Sequence, residues 1–267
     1  MLEIRNLNVR LGRKPILQDI SLLAAPGMLT AIIGPNGSGK TTLLRAMTGE
    51  IPYSGEARLN DLDIGKATPR QLANIRSVLP QASLLTFPFT VYEVVKLGAT
   101  AGTQMLNESS NHISDALDMV GLSGFGGRYY QELSGGEQQR VQFARVLAQI
   151  GAPQVEGQPR YLFLDEPISS LDIKHQIQIM NIGKEFALGG GGVVAVLHDL
   201  NLTAYFADHV VLINGGRVHA HGTSKSVMTA DNLEAVYGCP MSVGQPPEDM
   251  QLYILPRISP NSVDNRG

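Results

Sequence analysis

The sequence predicts an α/β fold, a mixed and mainly parallel sheet flanked by helices, and three observations lead to this prediction. An apolar run at 31–33 leads into a glycine-rich loop that is followed by a helical pattern. Two further continuous apolar runs, 161–164 and 193–197, are typical of strands that are buried on both faces. Each run is followed by residues whose side chains can bind ligands or take part in catalysis. Open α/β sheets bind ligands beyond the carboxyl ends of their strands. We therefore expect one binding site at that edge of the sheet.

The order of patterns along the chain predicts its subdomains. Residues 2–25 mix polar and apolar positions around a break at 12–15, which indicates an antiparallel hairpin and an N-terminal β subdomain. After residue 81 the apolar residues recur at helical spacing, so we expect a helical insert between two strands of the parent sheet. The predicted division of the single domain 1–267 is a core of 1–81 and 133–256, a helical subdomain of 82–132 and a flexible tail of 257–267.

Composition excludes several classes of protein. A chain of 267 residues with 43% hydrophobic residues can bury a sizeable core, and a formal charge of −3 gives no general attraction to nucleic acid. No apolar run approaches the ~20 residues that span a bilayer, and the first residues lack the regions of a secretory signal. The single cysteine excludes an internal disulfide framework and a cysteine-based zinc site. We expect a soluble, cytoplasmic protein that reaches a membrane only through a partner.

The glycine-rich loop has the residue types of a phosphate-binding P-loop, which predicts a P-loop NTPase core. Its glycines allow successive backbone N–H groups to point at one centre, and the helix that starts at Lys40 adds its positive end. Lys40 can reach the outer phosphates, and the hydroxyl of Thr41 can bind Mg²⁺. A glycine-rich turn without a ligand is the alternative, but the strand before and the helix after argue against it. The predicted phosphate site consists of Gly34, Pro35, Asn36, Gly37, Ser38, Gly39, Lys40, Thr41 and Thr42.

Four polar residues follow the other predicted strands. Asp165 can hold Mg²⁺ because hard cations take oxygen ligands, and Glu166 can orient or deprotonate the water that attacks a phosphate. His198 can place an N–H against the same phosphate, and Gln81 can contact the metal ion or the attacking water. Singly, each has a structural alternative: acidic pairs often begin helices, histidines often lie satisfied in cores, and glutamines are common in loops. Their shared position at strand ends favours a common site.

These residues occur in the order found in the nucleotide-binding subunits of ABC transporters, which the chain resembles over nearly its whole length. In that resemblance Lys40 lies in Walker A, Gln81 is the Q-loop glutamine and residues 133–139 are the signature sequence. Asp165 and Glu166 carry Walker B, residues 169–172 resemble the D-loop, and His198 is the switch histidine. The signature sequence is the most specific of these motifs, because ordinary P-loop kinases and GTPases lack it.

The resemblance implies an ATP hydrolase coupled to transport, with ATP and Mg²⁺ as ligands and a head-to-tail homodimer as the working form. Each ATP would lie between the P-loop of one copy and residues that the other copy supplies, namely Ser134, Gly135, Gly136 and Asp172. It also implies two copies of a transmembrane permease, indirect dependence on an extracytoplasmic substrate-binding protein, no nucleic acid, and a peripheral position on the cytoplasmic face of the bacterial inner membrane. Phe87 and Phe89 are candidates for contact with the permease, or else pack inside the helical insert.

Within the family, segments 197–202, 207–209 and 236–238 are similar to importers of iron chelates, haem and vitamin B12, and the loop 151–159 is similar to haem importers in particular. The function implied is import of haem or a related iron chelate. The alternatives are a subunit for another cargo, such as vitamin B12 or a siderophore, and a non-transport ABC ATPase that acts as an ATP-gated clamp.

Two residues depart from the family pattern. Leu11 replaces an aromatic residue that commonly stacks on adenine, with Arg10, Arg13 or Tyr53 as candidates to cover the base instead, and Ile168 replaces a threonine. Cys239-Pro240 is too short a motif to indicate haem binding, and His219 with His221 would make only a weak metal site.

Overall fold

The computed structural model describes residues 1–81, 85, 87–101, 110–245 and 255–256. Its elements in chain order are β1 Leu2–Leu11, β2 Lys14–Ala24, β3 Leu29–Ile33, α1 Lys40–Met47, β4 Ser54–Leu59, β5 Leu62–Asp63, α2 Pro69–Ile75, β6 Arg76–Leu79, α3 Val91–Ala101, α4 Ser110–Met119, a 3₁₀ turn Tyr130–Glu132, α5 Gly135–Ile150, β7 Gln154–Val155, β8 Gln158–Pro159, β9 Tyr161–Asp165, α6 Ile173–Leu188, β10 Gly192–Val196, α7 Leu200–Phe206, β11 His209–Asn214, β12 Arg217–Gly222, α8 Ser224–Val227 and α9 Ala230–Tyr237. The predicted tail, 257–267, and part of the segment 82–132 lie outside the described residues.

A six-stranded sheet has the strand order β12-β11-β3-β10-β9-β6. Its neighbours are parallel except for β12, which returns antiparallel to β11. Every residue of β3, β9 and β10 is buried, so the apolar runs form strands covered on both faces, as predicted. Leu162 and Leu164 pack on the helical side of β9, whereas Tyr161 and Phe163 face the second core cluster. The prediction of a mainly parallel sheet between helices is confirmed.

The N-terminal strands form a separate antiparallel sheet with the order β2-β1-β4-β5. The β1–β2 pairing runs from Leu2 opposite Ala24 to Leu11 opposite Lys14, which places the turn at the predicted break. Helices α3 and α4 follow β6 and precede α5, so the helical insert is also present. Thr90 and Glu93 form a capping box at the start of α3, with a 2.8 Å bond from Thr90 N to Glu93 Oε2. Where the subdomains begin and end remains a prediction.

The loop 151–159 contains an element that the sequence did not predict, the short hairpin β7–β8. Its turn residues, Glu156 and Gly157, both have positive φ, at 51° and 76°, which suits a two-residue hairpin turn. Two-residue strands carry too little apolar alternation to be recognised from sequence. Tertiary contacts supply the missing stabilisation: Arg160 Nη1 donates to Ile150 O, and Asn60 Nδ2 donates to Pro159 O at 2.9 Å. Among the described residues, no helix is long and apolar enough to cross a membrane.

Candidate functional site

Most of the predicted site residues lie at the carboxyl ends of four parallel strands. The P-loop follows β3, Asp165 ends β9, and His198 lies two residues after β10, the strand between them. Gln81 lies two residues after β6, next to β9 at the same edge, and its side chain is exposed. The sheet order therefore brings together residues that are up to 164 positions apart, from Gly34 to His198.

The backbone of the P-loop requires glycine at two positions. Gly34 has φ 148°, and a Cβ there would lie 2.1 Å from Ile213 O; at Gly39, with φ 106°, a Cβ would lie 2.7 Å from Leu17 Cδ2. Helix α1 starts after Gly39 with no side-chain cap and no acidic residue in its described first turn. Its first N–H groups are therefore available to bind an anion. The positive end of the helix dipole also stabilises an anion there.

Lys40 and Ser38 both show that this loop suits a phosphate ligand. Lys40 Nζ donates to Gly34 O at 2.9 Å and to Pro35 O at 3.0 Å, so the ammonium folds over the loop. Burial lowers the pKa of Lys40, and the carboxylates of Glu166 and Asp165 oppose that shift. The buried Oγ of Ser38 has no hydrogen-bond partner within the described chain. Buried polar atoms are normally paired, so an added ligand would complete this loop.

Thr41 and Asp165 bring together two side-chain oxygen atoms that could hold a magnesium ion. Thr41 Oγ1 donates to Asp165 Oδ1 at 3.2 Å, which joins the start of α1 to the end of β9. Asp165 is 3% exposed. Burial raises the pKa of Asp165 to about 6, and the hydrogen bond from Thr41 opposes that rise. A buried carboxyl beside a hydroxyl fits Mg²⁺, which commonly takes one or two protein ligands and completes its shell with phosphate and water.

Glu166 and His198 contact each other at the mouth of the site. His198 Nε2 lies 2.7 Å from Glu166 Oε1, and the histidine is the more exposed of the two side chains. Glu166 has φ 52°, the left-handed region that residues with a side chain seldom adopt. Such strain is often found at functional sites, where the surrounding structure must hold it. The sequence predicted that the two residues lie near each other, but no pattern predicted the unusual φ.

The start of α5 forms a second exposed surface. Ser134 caps this helix: its Oγ donates to Glu137 Oε2 at 2.7 Å and accepts from Glu137 N at 3.4 Å. The bond from the Ser134 hydroxyl and a second one from Ser134 N, at 2.8 Å, to the carboxylate lower the pKa of Glu137. Ser134 and Gly135 are exposed, and Gly136 is half-buried. Asp172, also exposed, caps α6 by accepting from His175 N at 2.9 Å. These contacts are local, and in the described part of the chain none of them joins Ser134 or Asp172 to the P-loop.

Sequence reasoning missed the part that Gln139 plays in the site. Gln139 Nε2 donates to Glu166 O at 3.1 Å, and Gln139 Oε1 accepts from Ser170 N at 3.2 Å. The signature segment 133–139 includes this residue, but only tertiary structure shows which backbone it meets. Ile168, one of the two departures from the family pattern, is 5% exposed and packs in the core beneath the helices. Its substitution therefore changes packing behind the site.

Leu11 and Arg10, two of the residues considered for contact with a base, lie at the end of β1. Leu11 is 56% exposed there. Arg10 lines a cavity of about 700 Å³ together with Tyr53. That Arg10, Arg13 or Tyr53 covers a base in place of the missing aromatic residue stays a prediction.

The two phenylalanines considered for contact with a permease differ in exposure. Phe87 is 69% exposed, whereas Phe89 is partly buried against the core, with the two rings 6.2 Å apart. Of the two phenylalanines, Phe87 is thus the one available to a partner surface.

The residues considered as haem or metal ligands do not form a cluster in the part of the chain that the structure describes. Cys239 is an exposed free cysteine. His221 lies 5.8 Å from the ring of His209, and no group of three or more His, Cys, Asp or Glu residues in the described ranges could hold a metal ion.

The fold and this site define a class of protein, and the chain belongs to the ABC transporter family, whose sequence pattern matches residues 17–169. It is 56% identical over 259 residues to the hemin import ATP-binding protein HmuV of Jannaschia sp., a match that covers 97% of this chain and 95% of that protein. It is 52% identical over 258 residues to the protein of the same name from Rhizobium meliloti, covering 96% of this chain and 98% of that one. A solved inward-facing structure of a metal-chelate type ABC transporter shares the fold, with a TM-score of 0.72 and 24% identity over 90% of this chain and 89% of the other.

Proposed function

We propose that this chain is the ATP-hydrolysing subunit of a membrane importer for hemin. The observation that carries the proposal is its identity, above 50% over nearly the full length of both chains, to proteins named for hemin import. The site supports the chemical half of the proposal, because a P-loop, a buried carboxyl and a strained glutamate converge at one edge of the sheet. A related iron chelate is the alternative cargo.

The residues of the chain divide the work of hydrolysis among them. The N–H groups of the loop 34–42 and the ammonium of Lys40 bind the triphosphate. To do so, Lys40 exchanges its hydrogen bonds to the carbonyl oxygens of Gly34 and Pro35 for bonds to phosphate oxygens. Thr41 and Asp165 would hold Mg²⁺, which when bound neutralises charge on the outer phosphates. Glu166 accepts a proton from the attacking water, and His198, 2.7 Å away, fixes the orientation of that carboxylate. Gln81 contacts the metal ion or the attacking water from the end of β6.

The working form in this proposal is a head-to-tail homodimer on the cytoplasmic face of the inner membrane. The second copy supplies Ser134, Gly135, Gly136 and Asp172, and a helix start with free N–H groups is a suitable second anion site. ATP closes the dimer and hydrolysis opens it. Two copies of a permease receive this motion through the subdomain 82–132, where the exposed Phe87 is the candidate contact. An extracytoplasmic binding protein delivers the cargo to the permease.

The test is reconstitution of the full chain with its permease in lipid vesicles, measuring ATP hydrolysis and hemin uptake together. We expect hydrolysis to be coupled to uptake of hemin. In the Glu166→Gln variant, which keeps the shape and removes the basicity, both should fall by about 10²–10⁴-fold, the usual contribution of a general base. ATP binding should survive, and the variant should accumulate as an ATP-bound dimer that light scattering detects.

The matched control is Glu234→Gln, an exposed glutamate on α9, which should behave like the unaltered chain. Near-normal hydrolysis by Glu166→Gln would exclude the proposed base. Hydrolysis that is indifferent to hemin, with no hemin uptake, would exclude the proposed cargo while leaving the ATPase chemistry intact.

A further inference from the structure

The left-handed backbone at Glu166 must be held by its surroundings. Its φ of 52° is unfavourable for a residue with a side chain, and glycine, which adopts this conformation freely, cannot supply a carboxylate. A peptide that relaxed to the common extended or helical region would turn the Glu166 side chain away from His198. The position of the carboxylate thus depends on whatever fixes the two flanking peptide groups.

Hydrogen bonds fix both of those groups. Glu166 N donates to Val196 O at 3.2 Å, which ties the residue to the end of β10. Glu166 O accepts from Gln139 Nε2 at 3.1 Å, from Ser169 Oγ at 3.2 Å and from Ser169 N at 3.4 Å. Ser169 belongs to the same turn and moves with it. Among the described residues, Gln139 is the donor that reaches this carbonyl from another element, the N-terminal part of α5.

The other end of the Gln139 amide holds the same turn at a second point. Ser170 N donates to Gln139 Oε1 at 3.2 Å, so one side chain bridges residues 166 and 170. The backbone of α5 also lies against this segment, since a Cβ on Gly136 would be 3.2 Å from Ser170 O. The segment that follows β9 is therefore braced against α5 both by packing and by one bidentate amide.

We infer that Gln139 is a positioning residue for the catalytic base: its amide holds the strained peptide at Glu166 and thereby aims the carboxylate at the attacking water. This inference rests on the proposed function, in which Glu166 accepts the proton. Gln139 does not need to touch nucleotide for this role. Ser134 and Gly136 lie at the start of the same helix, α5, so the amide of Gln139 connects the surface offered to the second copy with Glu166 in this chain's own site.

The test is Gln139→Met, which keeps an unbranched side chain of similar length and removes both amide hydrogen bonds. We expect kcat for ATP hydrolysis to fall by about 10- to 100-fold, since a misplacement of about 1 Å can cost 10²-fold. KM for ATP should change little, because the P-loop keeps its contacts. Loss confined to kcat separates positioning from a general loss of folded protein.

The matched control is Gln149→Met on the same helix. The amide of Gln149 donates to Arg76 O at 3.2 Å and to Ala73 O at 3.4 Å, and it accepts from Ser77 Oγ at 2.9 Å, away from the site. This variant loses at least as many hydrogen bonds and should lower thermal stability comparably, yet it should leave kcat unchanged. Equal losses of kcat in the two variants would overturn the inference.

A second measurement uses the Glu166→Gln background. If Gln139 acts through the base, adding Gln139→Met there should produce no further loss of residual turnover, because effects of residues that act as a unit are not additive. A further loss of full size would show that Gln139 acts elsewhere and would overturn the inference. Absence of hydrolysis by the unaltered chain would contradict the proposed function itself, whereas normal hydrolysis by Gln139→Met contradicts only the positioning role.

Discussion

Burial of the Asp165 carboxyl favours binding of a cation and lowers the stability of the folded chain. Among the described residues it accepts a hydrogen bond from Thr41, which together with the charge of Lys40 favours the ionised form, while burial and the like charge of Glu166 oppose it. Raising its pKa from 3.8 to about 6 corresponds to about 3 kcal/mol against the ionised form at neutral pH, at about 1.36 kcal/mol per unit. Burial of this carboxylate is thus unfavourable until a cation compensates it.

We therefore expect Asp165→Asn to raise the thermal stability of the metal-free protein while it abolishes Mg²⁺-dependent hydrolysis. The gain should be a few degrees in Tm, since about 1 kcal/mol shifts Tm by about 2–4 °C in chains of this size. Calorimetry in EDTA measures it, with Asp115→Asn, an exposed aspartate on α4, as the control that should not change Tm. A lower Tm for Asp165→Asn would show that its ionised form is already compensated.

At the residue scale, the sequence predicted which residues share the site, and the structure showed the contacts that position them. Thr41, Asp165 and His198 could be placed at one edge because each follows a buried strand of a parallel sheet. The φ of Glu166 and the amide of Gln139 could not be predicted, because both depend on a contact between α5 and the turn after β9. Local patterns record periodicity and caps, and they carry no record of such tertiary contacts.

Among the elements, the hairpin β11–β12 connects the P-loop to a pair of histidines. At its turn Gly216 N donates to Ser38 O at 3.0 Å, and Gln18 N donates to Gly216 O at 2.8 Å. A Cβ on Gly216 would lie 2.1 Å from Ile16 O, so the close approach requires glycine. The Asn-Gly-Gly sequence at 214–216 is typical of a hairpin turn, but no local pattern indicates that this turn contacts the P-loop.

At the far end of the hairpin, His209 should make the fold sensitive to acid. Burial lowers the pKa of His209, and the nearby His221 lowers it further. The unfolded chain then binds a proton more readily than the folded one, so stability is lost as pH falls below the ordinary histidine pKa of about 6.5. The neighbouring Asp208 is engaged by Lys184, at 2.5 Å, and by Leu29 N.

The measurement compares Tm between about pH 7.5 and pH 5.5, the range in which an ordinary histidine titrates. His209→Gln should show a smaller decrease in Tm over this range than the unaltered chain, whatever its Tm at neutral pH. His219→Gln, an exposed histidine on β12, should leave the decrease unchanged. An unchanged decrease in His209→Gln would assign the acid sensitivity to other groups.

At the scale of the whole molecule, two surfaces of the chain would form one ATP site in the proposed homodimer. One surface is the P-loop edge, with Lys40, Asp165 and Glu166; the other is the exposed start of α5, with Ser134 and Gly135. Both present helix N-termini, and an anion between two such termini is stabilised from both sides. The proposed head-to-tail homodimer would pair each P-loop with the α5 of the other copy, and would do so twice by symmetry.

Mixing two inactive variants tests this arrangement. A Lys40→Ala dimer lacks the lysine in both sites, and a Ser134→Arg dimer blocks both second anion sites, so each variant alone should be nearly inactive. A mixed dimer has one site with both defects and one site with neither. Random pairing of equal amounts makes about half of the dimers mixed, so activity should recover to at most about a quarter of that of the unaltered chain.

Two further comparisons decide the outcome. Ser134→Arg also removes a helix cap, which typically costs about 1 kcal/mol. Thr68→Arg removes the same kind of capping box from α2, which leads into the start of β6 while the site lies at the carboxyl ends of the strands, and this variant should hydrolyse ATP normally. Two batches of Lys40→Ala mixed together should stay inactive. If the complete site lay within one chain, each chain in the mixture would keep its own defect and no activity would return. Recovery on mixing, lost again on dilution, is the result that only a site shared between two copies produces.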